Sequence, residues 1–194
     1  MYQALLSYIQ KHSTTPLTGG DIELLKSKFT PKRIRKGQYF LQEGEICGSS
    51  AFIVKGAMRQ YSVDDNGAEH IIQLTIETWW AVDRESFLTL APSRYNIDAW
   101  EDTDVLVLRK TDYFDYLASI PAMVEMLRAM DEKNAYANQK RLHSALNDTA
   151  EKRYANLVDS HPEFIQRFPQ YIIASYLGVS KETLSRLRSY AVQK

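Results

Sequence analysis

Gln170-Tyr-Ile-Ile-Ala-Ser-Tyr-Leu-Gly-Val-Ser-Lys-Glu-Thr-Leu-Ser-Arg-Leu-Arg188 is the stretch that decides the fold. Ile173 and Leu177, four apart, make one buried helical stripe, and Leu184 and Leu187, three apart, make a second. Ala174 is small where a crossing helix needs close approach. Gly178 sits where the first helix must stop, because glycine accepts the left-handed conformation that ends helices. Ser180 is a good N-cap for the second helix, and Pro169 fits just inside the start of the first. The pattern predicts a helix-turn-helix. In that motif the second helix enters the DNA major groove and presents residues near its N-terminus to base edges. The outward positions here are Lys181, Glu182, Ser185 and Arg186, with Arg188 further along. Arg pairs with guanine, Glu accepts from cytosine, and Lys and Ser suit phosphates or bases.

The chain has 194 residues, 44% apolar and 25% charged, ordinary for a globular protein with a real core. Its formal net charge is zero, so attraction to nucleic acid must come from a local patch. The last fourteen residues offer one: Lys181, Arg186, Arg188 and Lys194 against Glu182. The single cysteine, Cys47, excludes an internal disulfide and any multi-cysteine metal cluster, so no metal site is expected. No apolar run reaches membrane-spanning length and the start lacks a signal pattern, which predicts a cytoplasmic protein without a membrane partner.

Upstream, Leu5, Leu6 and Ile9 predict a short helix over 2–11, and Thr18 or Asp21 can cap a second over Ile22–Phe29. From Lys32 to about residue 110, short β-rich runs alternate with glycines, which suggests a rolled antiparallel β-domain. Asp64-Asp-Asn-Gly67 marks a hairpin, and Ile97–Trp100 with Val105–Leu108 reads as another strand pair. Asp112 can cap a short helix and Pro121 can begin a longer one. Along that helix Met123, Leu127, Met130, Asn134, Ala137 and Arg141 follow coiled-coil spacing, which predicts a dimer seam. Its other face, Val124, Ala135, Leu142 and Leu146, is free to pack on the β-domain. Asp148 with Glu151 resembles a capping box for the next helix, whose stripe is Tyr154, Leu157 and Val158. The expected fold class is therefore α+β: an N-terminal antiparallel β-roll with its leading helices over 1–120, a dimerisation helix over 121–147, and a helix-turn-helix domain over 148–194.

This order of parts resembles the cyclic-AMP receptor protein / fumarate-nitrate regulator (Crp/Fnr) family of bacterial transcription regulators. The motifs that carry the resemblance are Gln42-Glu-Gly-Glu45, Ala51-Phe-Ile-Val-Lys-Gly56, Asp65-Asn-Gly67 and Ser180-Lys-Glu-Thr-Leu-Ser-Arg186. The resemblance implies a jelly roll like a cyclic-nucleotide-binding domain, and a homodimer that binds a two-fold site in double-stranded DNA. It also implies a small effector and RNA polymerase as a further partner. By position, Lys181, Glu182 and Arg186 match the family's base- and phosphate-contacting residues.

Two departures qualify it. The family holds ribose and cyclic phosphate with a Gly-Glu pair, followed about ten residues later by Arg-Ser or Arg-Thr. Here those positions fall in Trp80-Ala-Val-Asp83 and near Ser93-Arg94-Tyr95. The expected effector pocket is Ile72, Leu74, Trp80, Asp83, Glu85, Arg94 and Tyr95, a set with aromatic bulk and added negative charge that disfavours cyclic AMP. The effector is thus an unidentified small molecule, and no cofactor is assigned. The connection from His161 to Pro169 also looks too short for the hairpin wing of many relatives, which predicts fewer phosphate contacts.

Two other classes compete. One is a ligand-binding sensor, for cyclic nucleotides or another ligand, whose helical domain makes protein contacts; the basic outward face of 181–188 argues against it. The other is an enzyme. Asp83, Glu85, Glu101, Asp102 and four histidines (His12, His70, His143 and His161) offer chemistry, but none pairs with a nucleophile or second ligand at a recognisable spacing, so no catalytic residue is assigned. Haem ligation by His70 or Cys47 has no spacing signal behind it either.

Overall fold

The structure, a computed structural model, describes residues 1–116 and 119–192. Lys194 of the expected basic patch lies outside the described residues. Two helices lead, α1 (Tyr2–Lys11) and α2 (Gly19–Lys28). Thr18 caps α2 by accepting the Asp21 N–H at 3.1 Å, and the Asp21 carboxylate accepts the Thr18 N–H at 2.9 Å. This reciprocal box starts the helix three residues before Ile22.

Two four-stranded antiparallel sheets follow. The first runs in the order β1 (Phe29–Ile34), β8 (Thr103–Arg109), β3 (Ser49–Lys55), β6 (Trp80–Ala81). The second runs β2 (Tyr39–Leu41), β7 (Asn96–Ala99), β4 (Met58–Val63), β5 (Glu69–Thr75). Side chains alternate across each strand, so each sheet has an inner and an outer face. Ala51, Ile53 and Val105 from one sheet meet Met58, Ile97 and Ala99 from the other in a common core. The outer face of the first sheet, with Phe52, Leu106 and Leu108, receives α1 and the long helix α5 (Pro121–Asn147). The outer face of the second receives the C-terminal helices.

The β4–β5 hairpin turns at Asp64–Gly67 as its sequence predicts. The other expected pair does not form. β7 belongs to the second sheet and β8 to the first. The chain changes sheets between them, as it also does at Gly56 between β3 and β4. The two crossings brace each other: the backbone N–H groups of Trp100 and Glu101 and the Thr103 hydroxyl all donate to the Ala57 carbonyl. Four polar residues in 101–104 looked like a hairpin turn but serve as a corner.

After β6 comes α3 (Arg84–Thr89), and after β8 comes α4 (Lys110–Tyr116). Asp112 does not cap α4, because the helix starts directly off β8 and places Asp112 in its first turn. The Asp112 carboxylate instead pairs with Arg109 at 2.9 Å and Lys28 at 3.4 Å. Pro121 does begin α5. The apolar positions of α5 divide between core and solvent by their place along the helix rather than by face. Met123 is fully buried against the first sheet with Ala122 and Met126, and Leu127 packs on the same cluster. Leu142 and Leu146, expected on the β-domain, are 63% and 75% exposed, and Ala135 is exposed too. Asn134 and Ala137 face solvent in the single chain, while Arg141 donates to the carbonyls of Ile71, Ile72 and Tyr176.

The C-terminal part holds α6 (Ala150–Ser160), α7 (Pro162–Arg167), α8 (Gln170–Leu177) and α9 (Lys181–Val192). Thr149, not Asp148, caps α6 by accepting the Lys152 N–H; Asp148 ends α5 and takes Ser144 and Lys152 as partners. Tyr154 and Val158 are half-buried beside buried Leu157. The connection expected between His161 and Pro169 is the short helix α7. Among the described residues no helix is long and apolar enough to cross a membrane.

Candidate nucleic-acid interface

The helix-turn-helix is built as its sequence suggests. Gly178 ends α8 in the left-handed conformation, at φ +66°, and its N–H returns to the last turn. Pro169 stands one place earlier than expected, at the N-cap itself. Ser180 caps α9 by accepting the Thr183 N–H at 3.1 Å. Ile172, Ile173 and Ala174 of α8 and Leu184 of α9 are buried together with Leu157 of α6, so three helices share one core.

With Leu184 and Leu187 turned inward, Lys181, Glu182, Ser185 and Arg186 fall on the exposed side of α9. Ser189 continues that face. Arg188 does not: it lies four residues after Leu184, is half-buried, and lines a small cavity with Tyr154 and Phe168. Glu182 is held below the usual carboxylate range by its own backbone N–H and the Ser180 hydroxyl, with Lys181 and Arg186 adding to the effect. The face therefore carries two cations and one firmly ionised carboxylate, all exposed.

The expected effector residues do not meet in one cavity. Trp80 packs on the outer face of the first sheet against Phe52 and Phe29. Leu74 lies on the outer face of the second sheet among the C-terminal helices. Ile72 and Tyr95 are half-buried, and Glu85 and Arg94 are exposed. Asp83 and Ser93 do meet. Both are buried, and the Ser93 hydroxyl donates to Asp83 at 2.7 Å while Asp83 caps α3 through the Ser86 N–H. Asp83 and Ser93, one from each of the two stretches expected to face an effector, are thus each other's partners, while Arg94 stays in solvent.

Several of the other chemistry-bearing candidates have structural partners. Glu101 pairs with Arg167 and Asp102 with Arg33. His70 meets Asp64, and His12 contacts the Tyr8 carbonyl. Cys47 is buried, its thiol pushed up by burial and its S–H directed at the Ser49 carbonyl. Among the described residues no group of three His, Cys, Asp or Glu side chains could hold a metal ion.

Sequence reasoning missed the joint between the two halves. Arg167 of α7 forks onto both Glu77 and Glu101 of the β-domain, and its carbonyl accepts the Trp100 indole N–H at 3.1 Å. Glu101 first, and then Glu77, outweigh burial and hold the Arg167 guanidinium above its ordinary pKa. Trp79 meets His161 and Phe164 edge-on, and Trp100 contacts Phe168 and Tyr171. Burial holds His161 below its usual pKa there, with Glu163 opposing and Lys133 assisting. Beneath this joint Arg59 is buried between Asp98 and Glu69 and stacks 4.2 Å from the Tyr61 ring. The one sequence cue was bulk: Trp79 and Trp100 flank strand ends where small turn residues are usual.

Residues 31–119 match the cyclic nucleotide-binding domain family model. Over nearly the whole chain the fold matches FixK2 from Bradyrhizobium japonicum, with a TM-score of 0.71, 20% identity and 85% of each chain covered. It also matches a regulator assigned to the Crp/Fnr family from Eubacterium rectale, with a TM-score of 0.68, 15% identity, and 91% and 85% covered. The chain has the Crp/Fnr regulator fold. A third Crp/Fnr-fold match is the c-di-GMP-responsive global regulator CLP of Xanthomonas campestris, with a TM-score of 0.68, 13% identity, and 91% and 92% covered. No curated protein sequence matches the chain. Within this fold the short α7 stands where a longer connection was thought necessary for a hairpin wing.

Proposed function

We propose that this Crp/Fnr-fold chain is a transcription regulator that binds double-stranded DNA as a homodimer and answers to a small effector other than cyclic AMP. One observation carries the reading. The second helix of the helix-turn-helix buries its leucines and leaves Lys181, Ser185 and Arg186 in solvent on one face. The partner copy meets α5 along its exposed half, where Ala135 and Leu142 stand seven residues apart and Leu146 follows four later. Leu127, Met130 and Asn134 border that half, whereas Met123 is spent on its own core. RNA polymerase is the partner such a regulator engages at a promoter.

Selection from a random DNA pool with the purified chain tests this. The expected product is an inverted repeat whose half-sites lie about one helical turn, roughly 34 Å, apart. Arg186→Ala is expected to lower affinity about 10- to 100-fold and relax one base per half-site, the value of a bidentate arginine contact. Lys181→Ala should weaken all sequences evenly if it meets phosphate. An unenriched pool, or a site without two-fold symmetry, overturns the reading.

The effector claim rests on Asp83 and Ser93. A cyclic phosphate needs backbone donors and a cation, and a buried carboxylate already bonded to Ser93 offers neither. Calorimetry with cyclic AMP and cyclic GMP is expected to show no binding below about 1 mM, an affinity worth about 4 kcal/mol. Micromolar affinity for either nucleotide would restore the ordinary nucleotide sensor.

A further inference from the structure

From Leu24 to Gln42 the chain holds no Asp or Glu, and six of its 24 lysines and arginines fall between Lys26 and Lys36. Because the formal net charge is zero, the rest of the chain is net negative. Three of the six have carboxylate partners: Lys26 with Glu23, Lys28 with Asp112, and Arg33 with Asp102 and Asp104. Lys32, Arg35 and Lys36 are exposed and form no ion pair among the described residues. Asp102 is held below the usual carboxylate range by the Lys36 N–H first and then by Arg33, with Arg35 adding to the effect from a distance. Edge strands are commonly guarded by lysine and proline, which accounts for Pro31 and Lys32 on β1. It does not account for Arg35 and Lys36, which stand past the end of β1 in the turn to β2. That turn is tied down: the Gln38 N–H returns to the Arg35 carbonyl at 2.9 Å, the Gly37 N–H donates to the Ala99 carbonyl at 2.7 Å, and the Lys36 N–H donates to Asp102 at 3.0 Å.

We infer that Lys32, Arg35 and Lys36 form a second DNA contact, which holds the phosphate backbone of the duplex flanking each half-site. This rests on the function proposed above. In a helix-turn-helix the first helix crosses the DNA backbone. Here that helix is α8, and Tyr171 in its first turn is 48% exposed. The Tyr171 ring stands 6.3 Å from the Trp100 ring, and the Lys36 ammonium sits 5.4 Å from the centre of that same Trp100 ring. The β1–β2 turn therefore adjoins the start of α8 across Trp100. Lysine and arginine on phosphate carry no sequence information, so the contact adds affinity and salt dependence without changing the half-site. Stiff DNA has to bend towards the β-domain to reach it, so flexible pyrimidine–purine steps beside the half-site are favoured. An acidic protein surface is the other polyanion these charges suit; the adjacency to α8 favours DNA.

The test uses the full chain and the inverted repeat recovered by selection, made as two duplexes. One is trimmed to the two half-sites, and the other carries about one further helical turn, roughly 10 bp, on each side. The expected result is about tenfold tighter binding of the longer duplex and a log–log salt dependence steeper by about 2–5, since each neutralised phosphate contributes about 0.9. Lys32→Gln, Arg35→Gln and Lys36→Gln combined should remove the length advantage and the extra slope, while the trimmed duplex and the selected half-site stay as before. Lys26→Gln, which loses only its Glu23 partner, is the control and should change neither. Arg186→Ala should weaken both duplexes and keep their ratio. Equal affinity of the unaltered chain for the two duplexes overturns the inference, needs no variant to fold, leaves the regulator reading intact and points the patch to an acidic protein instead. A length advantage that survives the triple variant overturns it as well. A chain that selects no site at all overturns both readings.

Discussion

Gly56→Ala is expected to cost about 4 kcal/mol, about a quarter or more of the stability of an ordinary domain. Two effects add. Gly56 has φ +106°, a left-handed conformation that costs a residue with a Cβ about 1–3 kcal/mol. A Cβ built there lies 2.5 Å from the Thr103 hydroxyl, 2.7 Å from its Cα and 2.8 Å from the Asp102 carbonyl. Two of those neighbours are backbone and cannot rotate away, and overpacking of this kind costs about 1–3 kcal/mol more. Gly67→Ala is the control: its φ is +80° but nothing lies within 4 Å of the added carbon, so only the conformational part, about 1–2 kcal/mol, should be lost. Urea unfolding of both variants decides, and equal losses would remove the close approach as the cause. The damage should also reach the joint, since the Gly56 N–H donates to Glu77 at 2.7 Å and Glu77 holds Arg167.

The second large effect is expected at Arg59. Burial alone would depress its guanidinium, but the hydrogen bonds it donates to Asp98 and Glu69 more than reverse this and hold it above its ordinary pKa. Arg59→Met leaves Asp98, 6% exposed, with only a 3.4 Å contact to the Tyr61 hydroxyl. An uncompensated buried charge costs about 3–5 kcal/mol. Adding Asp98→Leu removes that charge and should recover most of the loss, because a well-packed apolar pair replaces a buried ion pair at little cost. Denaturant melts of the single and double variants read this as a coupling energy. Simple additivity would mean that the pair is not acting as a buried unit.

How much was legible depended on how local the determinant was. Gly178, Ser180 and the Leu184–Leu187 spacing act within a few residues, and the helix-turn-helix stands as they indicate. The strands of the β-domain were equally local. What periodicity could not supply was the neighbour. It found two apolar faces on α5 but not that the first turn lies over Phe52 and Leu106, which commits Met123 to the core. Asp112 had the chemistry of a cap, yet its use is set by Lys28 and Arg109, partners a cap rule does not consult. Arg188 looked basic and outward, but the fourfold spacing from Leu184 turns it inward. The joint was invisible because Glu77 and Glu101 reach Arg167 across 90 and 66 residues of chain.

The seat of α8 on β5 also protects the chain from its own kind. β5 ends its sheet, and an open strand edge is a template for pairing with another copy. The Ser175 hydroxyl accepts the Ile71 N–H at 2.9 Å and donates to the Glu69 carbonyl at 3.0 Å, while Arg141 takes the carbonyls of Ile71 and Ile72. The C-terminal helical part thus doubles as a guard on the sheet. Any movement that lifts α8 from β5 uncovers unpaired backbone, so a chain deprived of α8 is expected to become a seed for strand-to-strand clumping.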